Sequence, residues 1–148
     1  MVFDVIDLDP SYVLSESTED ENKYIRDEIV SFNAQQVPST QKELLIYKRY
    51  VIKDDNNVIA GIDAKIYHWG ILFIDILFIA ESHRKKRLGT YLLNKVEAEA
   101  KQAGATLVHL DTFDFQAKDF YLKHGYEVFG VLDNCPPGHQ RFYLKKVL

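Results

Sequence analysis

The sequence predicts an α/β fold of the α+β kind, with one central sheet of six to seven strands, mixed but mostly antiparallel, flanked by three to four helices. Three observations carry that expectation. Residues 44–53 and 58–67 are β-prone runs joined by the polar turn Asp54, Asp55, Asn56 and Asn57, which reads as a hairpin. Residues 71–80 are apolar on both faces, as a central strand is. A long amphipathic helix then separates this run from a further strand over 106–112, and a strand, helix, strand unit of that size makes a parallel pair.

Taken in order, the chain opens with two short β-prone pieces, 2–6 and 12–14, separated by Pro10. Ser17 or Thr18 caps a first helix, with Asp20 or Glu21 three residues on to complete a capping box; Ile25, Ile29 and Phe32 mark its buried face, and it fades before Pro38. After the hairpin, His68, Trp69 and Gly70 turn the chain into the central strand. The long helix is legible from Leu92, Leu93, Val96, Ala100 and Ala103 at helical spacing, with Asn94, Lys95, Glu97, Glu99, Lys101 and Gln102 facing away. Gly104 ends it as a C′ residue. Beyond the next strand, Asp114 caps a short helix that runs through His124 and closes at Gly125, and residues 126–132 and 141–146 form the last two strands.

Composition bounds the rest. At 148 residues with 47% hydrophobic content, the chain suits one core and one domain over 1–148. No basic region precedes a long apolar run, and 71–80 is about half a membrane span and carries Asp75, so no membrane role is expected. One cysteine, Cys135, excludes an internal disulfide and a cysteine-based zinc site, which fits a cytoplasmic protein without a metal. A net charge of −4 argues against nucleic acid as a partner.

Residues 76–89 carry the strongest functional signal. An apolar strand passes through Glu81, Ser82 and His83 and the cations Arg84, Lys85, Lys86 and Arg87 into a helix that starts near Leu88, Gly89 and Thr90. The first turn of a helix has unpaired N–H groups and the positive end of the dipole, so phosphate fits there. Gly89 permits close backbone approach.

That loop, the element order, and the segment Phe120, Tyr121, Leu122, Lys123, His124, Gly125, Tyr126 resemble the GNAT superfamily of N-acetyltransferases over about residues 12–147. The family loop reads Arg or Gln, two residues, Gly, one residue, Gly or Ala. Here Arg84 and Gly89 match, while Arg87 stands at the first glycine. The stretch from Val131, Leu132 and Asp133 to Pro136, Pro137, Gly138 and His139, with the closing Tyr143, Leu144, Lys145 and Lys146, resembles a bacterial branch of small GNAT proteins.

The resemblance implies the GNAT fold, with a splayed central parallel pair, and direct transfer from acetyl-CoA to a primary amine in a ternary complex. It implies a bulge or splay in 71–80 that frees main-chain groups of Leu77 and Ile79, around Phe78, for the cofactor arm; the Leu77 N–H polarises the acetyl carbonyl. Tyr121, beside Phe120, matches the tyrosine near the CoA sulfur, where a phenol protonates the departing thiolate. Asp114 stands where the family often has Asn on the pantetheine amides; as an acceptor only, it is alternatively a helix cap, with Gln116 the substitute amide. For the base, Asp75, raised by burial, and Glu81 are the candidates, followed by His83, His109 and Asp111; a water relay is the alternative.

The acceptor is expected to be the primary amine of a small molecule, or alternatively a lysine or N-terminal amine. Residues 16–28 hold six carboxylates against Lys23 and Arg26, a rim that attracts cations or simply a solvated helix. Size and family imply a homodimer. A CoA-binding sensor without turnover is the alternative, motivated by Arg87 at the glycine position, Asp114 at the asparagine position and the open choice of base.

Overall fold

The computed structural model describes residues 6–148, which divide at Pro38 into two compact units. The first holds one helix, α1 (Glu19–Gln36), with the expected capping box: the Thr18 hydroxyl accepts from the Glu21 N–H, and the Glu21 carboxylate accepts from the Thr18 N–H at 2.8 Å. The strand expected over 2–6 lies, up to residue 5, outside the described residues. Residues 12–14 form no strand, because the described residues of this unit offer no second strand to pair with, and Val13 and Leu14 stand almost fully exposed. The helix face departs from the sequence pattern too: Ile25, Ile29 and Phe32 are 60%, 52% and 55% exposed, not buried, since among the described residues this unit has no second helix or strand to cover them.

The second unit is a six-stranded sheet in the order β1-β2-β3-β4-β6-β5. Its strands are β1 (Leu45–Asp54), β2 (Asn57–Tyr67), β3 (Ile71–Ile79), β4 (Leu107–Phe113), β5 (Glu127–Asp133) and β6 (Gln140–Val147). All neighbours are antiparallel except β3 and β4, whose connection carries α2 (Leu88–Gln102). Positive φ at Asp55 and Asn56 makes the β1–β2 connection a two-residue hairpin turn, a conformation that short Asx side chains tolerate. Gly104, at φ +89, ends α2 as the C′ residue.

The core lies on one face of the sheet, where Ile62, Ile66, Leu72 and Val108 meet Leu92, Leu93, Val96 and Ala100 of α2. Two residues of α2 depart from the expected pattern. Ala103 is exposed because the helix has already ended. Glu97 is buried instead, and it is tolerated there because the Tyr126 hydroxyl donates to it at 2.8 Å and Lys146 pairs with it at 3.0 Å. The short helix α3 (Lys118–Lys123) begins after Ala117, so Asp114 does not cap it. Among the described residues no helix is long and apolar enough to cross a membrane.

Candidate functional site

The site arises where the two parallel strands part. Pairing between β3 and β4 covers only Ile71–Leu107, Leu72–Val108 and Phe73–His109. Beyond that point β3 stays with β2 and β4 with β6, so the sheet opens into a cleft of about 510 Å³. A bulge helps to open it: Asp63 pairs with Ile76 and Ala64 with Ile74, which leaves Asp75 as the extra residue on β3.

The bulge lies in the strand where the family resemblance implies one, and its consequence is in the main chain. Ala80 N–H donates to Ile59 across the β2–β3 ladder at 2.7 Å. Antiparallel pairs alternate between bonded and non-bonded, so Phe78 and Ile76 direct their main-chain groups to β2. Leu77 and Ile79 direct theirs to the side that β4 has left. Of these, the Ile79 carbonyl receives the Arg84 Nε at 3.3 Å.

The cleft is walled by Asp75, Leu77, Phe78, Ile79 and Arg84 on one side and by Asp111, Gln116, Phe120 and Tyr121 on the other. The sequence pattern did not single out Thr112, Phe115 and Ala117, which also line it; the alternation of Phe113 and Phe115 around Asp114 is the signal that could have found Phe115. Tyr121 is 5% exposed, packed at right angles to Phe120 and Tyr126, and its hydroxyl has no hydrogen-bond partner among the described residues. Burial pushes this phenol up to about 12, so it holds its proton across the working range of pH.

Asp75 departs from expectation. It is exposed at the bulge, not buried in the strand, because the extra residue falls out of the β2–β3 ladder. Asp111 lines the cleft, is part-buried and receives Arg141 Nε at 2.9 Å on Oδ1. Glu81 lies in a 3-10 turn over Glu81–His83, exposed and outside the cleft wall. His83 Nε2 lies 3.0 Å from Asp54, and His109 Nε2 2.7 Å from the Tyr67 hydroxyl; burial lowers the His109 pKa.

The basic loop stands at the mouth. Lys85, Lys86 and Arg87 are exposed, and Arg87, the N-cap of α2, has φ +63 and offers no side-chain cap, so the N–H groups of the first turn, Leu88, Gly89 and Thr90, have no helical partner. The glycine this loop usually carries has its reason here, since an L side chain is strained in that conformation. Gly89 has a different reason from the one expected: a Cβ would meet the Phe120 ring at 3.3 Å, so the glycine lets α3 approach α2. Thr90 adds to that contact, its hydroxyl lying 3.1 Å from His124 Nε2 while His124 Nδ1 donates to the Phe120 carbonyl at 2.7 Å.

Asp114 faces away from the cleft. Its carboxylate accepts from His139 Nδ1 at 2.8 Å and from the Gln140 N–H at 2.9 Å. Burial would raise its pKa, but these donors outweigh that and hold it below the usual carboxylate range. Gln116 turns its Oε1 to the Phe113 N–H at 2.8 Å and to the Thr112 hydroxyl, capping the turn after β4. Among the described residues no group of three or more acidic, histidine or cysteine side chains is arranged to hold a metal.

Comparison with known proteins agrees with this architecture. The family model described as "Acetyltransferase (GNAT) family" matches residues 13–126. An acetyltransferase of Agrobacterium fabrum is 30% identical over 138 residues, covering 92% of this chain and 98% of that protein. The blasticidin-S acetyltransferase of Streptomyces morookaense is 29% identical over 108 residues, covering 72% and 79%. Among solved structures, an acetyltransferase from Bacillus cereus superposes with a TM-score of 0.85 at 32% identity, covering 93% of this chain and 98% of that one.

Proposed function

The chain belongs to the GNAT acetyltransferase family, and from that premise we propose that it transfers acetyl from acetyl-CoA directly to a primary amine of a small, cationic molecule, in the cleft between β3 and β4. The observation that carries the proposal is the parting of those strands, which leaves the Leu77 N–H without a ladder partner opposite the unpartnered hydroxyl of Tyr121.

Each residue then has a task. The N–H groups at the start of α2, with Arg84, Lys85, Lys86 and Arg87, bind the phosphates of the donor. Leu77, Phe78 and Ile79 align its arm along β3, and the Leu77 N–H meets the charge that develops on the carbonyl oxygen as the amine nitrogen bonds to the carbonyl carbon. The C–S bond breaks, and Tyr121 gives its proton to the leaving sulfur. The ammonium proton leaves through Asp75, directly or by water. The exposed place of Asp75 at the bulge in the cleft wall suits a proton relay to solvent. Asp114, whose carboxylate is engaged by His139 and Gln140, takes no part in donor binding in this reading.

The family match spans the boundary at Pro38, which favours both units working as one domain. A cytoplasmic location and a homodimer belong to the same proposal; sedimentation at micromolar concentration checks the dimer.

Thiol release with acetyl-CoA and a panel of primary amines, run beside calorimetry with CoA, tests the proposal. Saturable release with at least one amine is expected. The second reading, a CoA-binding sensor, is favoured by one observation, the strained Arg87 in the glycine position. Micromolar CoA binding with no turnover of any amine would establish the sensor instead.

A further inference from the structure

Three rings and two ion pairs run in a row along the sheet face opposite α2. Arg141 pairs with Asp111 and stands 5.4 Å from the centre of the Phe113 ring. Phe115 stacks on Phe113 with centroids 5.2 Å apart and planes only 11° from parallel. His139 meets the Phe115 ring edge-on at 5.2 Å, and Asp114 fixes His139 through Nδ1. Phe115 is nevertheless 59% exposed and lines the cleft. A large aromatic side chain held this firmly and left uncovered at a cleft wall is a surface prepared for a ligand.

Its side of the sheet says which ligand. Phe113, like His109 and Asp111, alternates with the core residues Val108 and Leu110, so it points away from α2, and the stacking puts Phe115 on that same side. The basic loop, Gly89 and Phe120 belong to the helix side. A donor anchored at the α2 start therefore comes from one side of the opening, and Phe115 faces what comes from the other.

We propose that Phe115 is a specificity-determining residue for the acceptor, packing against an apolar or flat part of the amine, and that Asp114 with His139 is a positioning device that holds it there. This rests on the cleft being the transfer site. Asp114 thereby acts on the acceptor and not on the donor.

The test compares initial rates for wild type, Phe115→Ala, Phe115→Trp, His139→Ala and Asp114→Ala with phenethylamine, tryptamine, n-hexylamine and cadaverine as acceptors. The expected result is that Phe115→Ala raises KM about 10-fold for the aryl amines, leaves cadaverine nearly unchanged, and leaves kcat and CoA affinity unaltered. Phe115→Trp restores the aryl KM. His139→Ala and Asp114→Ala shift KM in the same sense, and adding either to Phe115→Ala shifts it no further, as expected of residues acting through one ring. Turnover of aryl amines by Phe115→Ala at the wild-type KM would overturn the inference and leave the transferase intact. CoA binding with no turnover of any amine by wild type would overturn both.

Discussion

Tyr121 and Arg87 show how one residue's surroundings set its use. The Tyr121 phenol lies in an apolar shell, and burial alone raises its pKa to about 12; a group so placed remains a donor at neutral pH and matches a thiolate that needs a proton. At Arg87 the backbone carries the cost. Its φ of +63 is a left-handed conformation that disfavours any side chain, and the guanidinium caps nothing. Arg87→Gly should therefore stabilise the protein by about 0.5–1 kcal/mol, raising Tm by roughly 2–5 °C, while weakening CoA affinity by the loss of one charge. A thermal scan beside a CoA titration checks both, and a lower Tm would show that Arg87 holds the loop by contacts of its own.

At the scale of elements, two junctions matter. Glu99 of α2 accepts from the Tyr50 hydroxyl at 2.6 Å and pairs with Lys95 at 2.8 Å and Lys48 at 3.3 Å, tying the helix to β1. Lys95 foremost, with Tyr50 and Lys48, lowers the Glu99 carboxyl from 4.5 to about 2. A depressed folded-state pKa means stability that is present above the unfolded value and fades as pH falls from about 4.5 toward 2. Glu99→Gln should accordingly lower Tm at pH 7, with the difference from wild type vanishing near pH 2; a difference independent of pH would assign the loss to packing. The other junction is the start of α2. If the proposed function holds, its exposed cations act on a charged donor through screened electrostatics, so Lys85→Glu with Lys86→Glu should weaken CoA binding at least 10-fold at low salt and flatten its salt dependence, as calorimetry at two ionic strengths would read.

Across the molecule, what was legible in the sequence was what short-range chemistry determines. The capping box at Thr18, the Asp55 and Asn56 hairpin turn, the doubly apolar β3 and the Gly104 terminator each rest on neighbours within a few residues, and each stands where the pattern placed it. The elements that differ depend on partners distant in sequence. Residues 12–14 have β-propensity but no strand beside them, Glu97 is buried because Lys146 and Tyr126 reach it, and Asp114 leaves its capping position for His139, 25 residues away. The splay followed from the family resemblance, and among the residues that line the cleft Leu77, Phe78, Ile79, Arg84, Gln116, Phe120 and Tyr121 were legible on that basis. Phe115 was not, since only the stacking on Phe113 distinguishes it from an ordinary loop aromatic. The central claim is that acetyl transfer takes place between the parted strands, with Tyr121 supplying the proton. The most direct test is the kcat of Tyr121→Phe for thiol release at saturating acetyl-CoA and amine. The account predicts a fall of about 10²-fold or more with CoA affinity preserved, and wild-type kcat at every pH would contradict it.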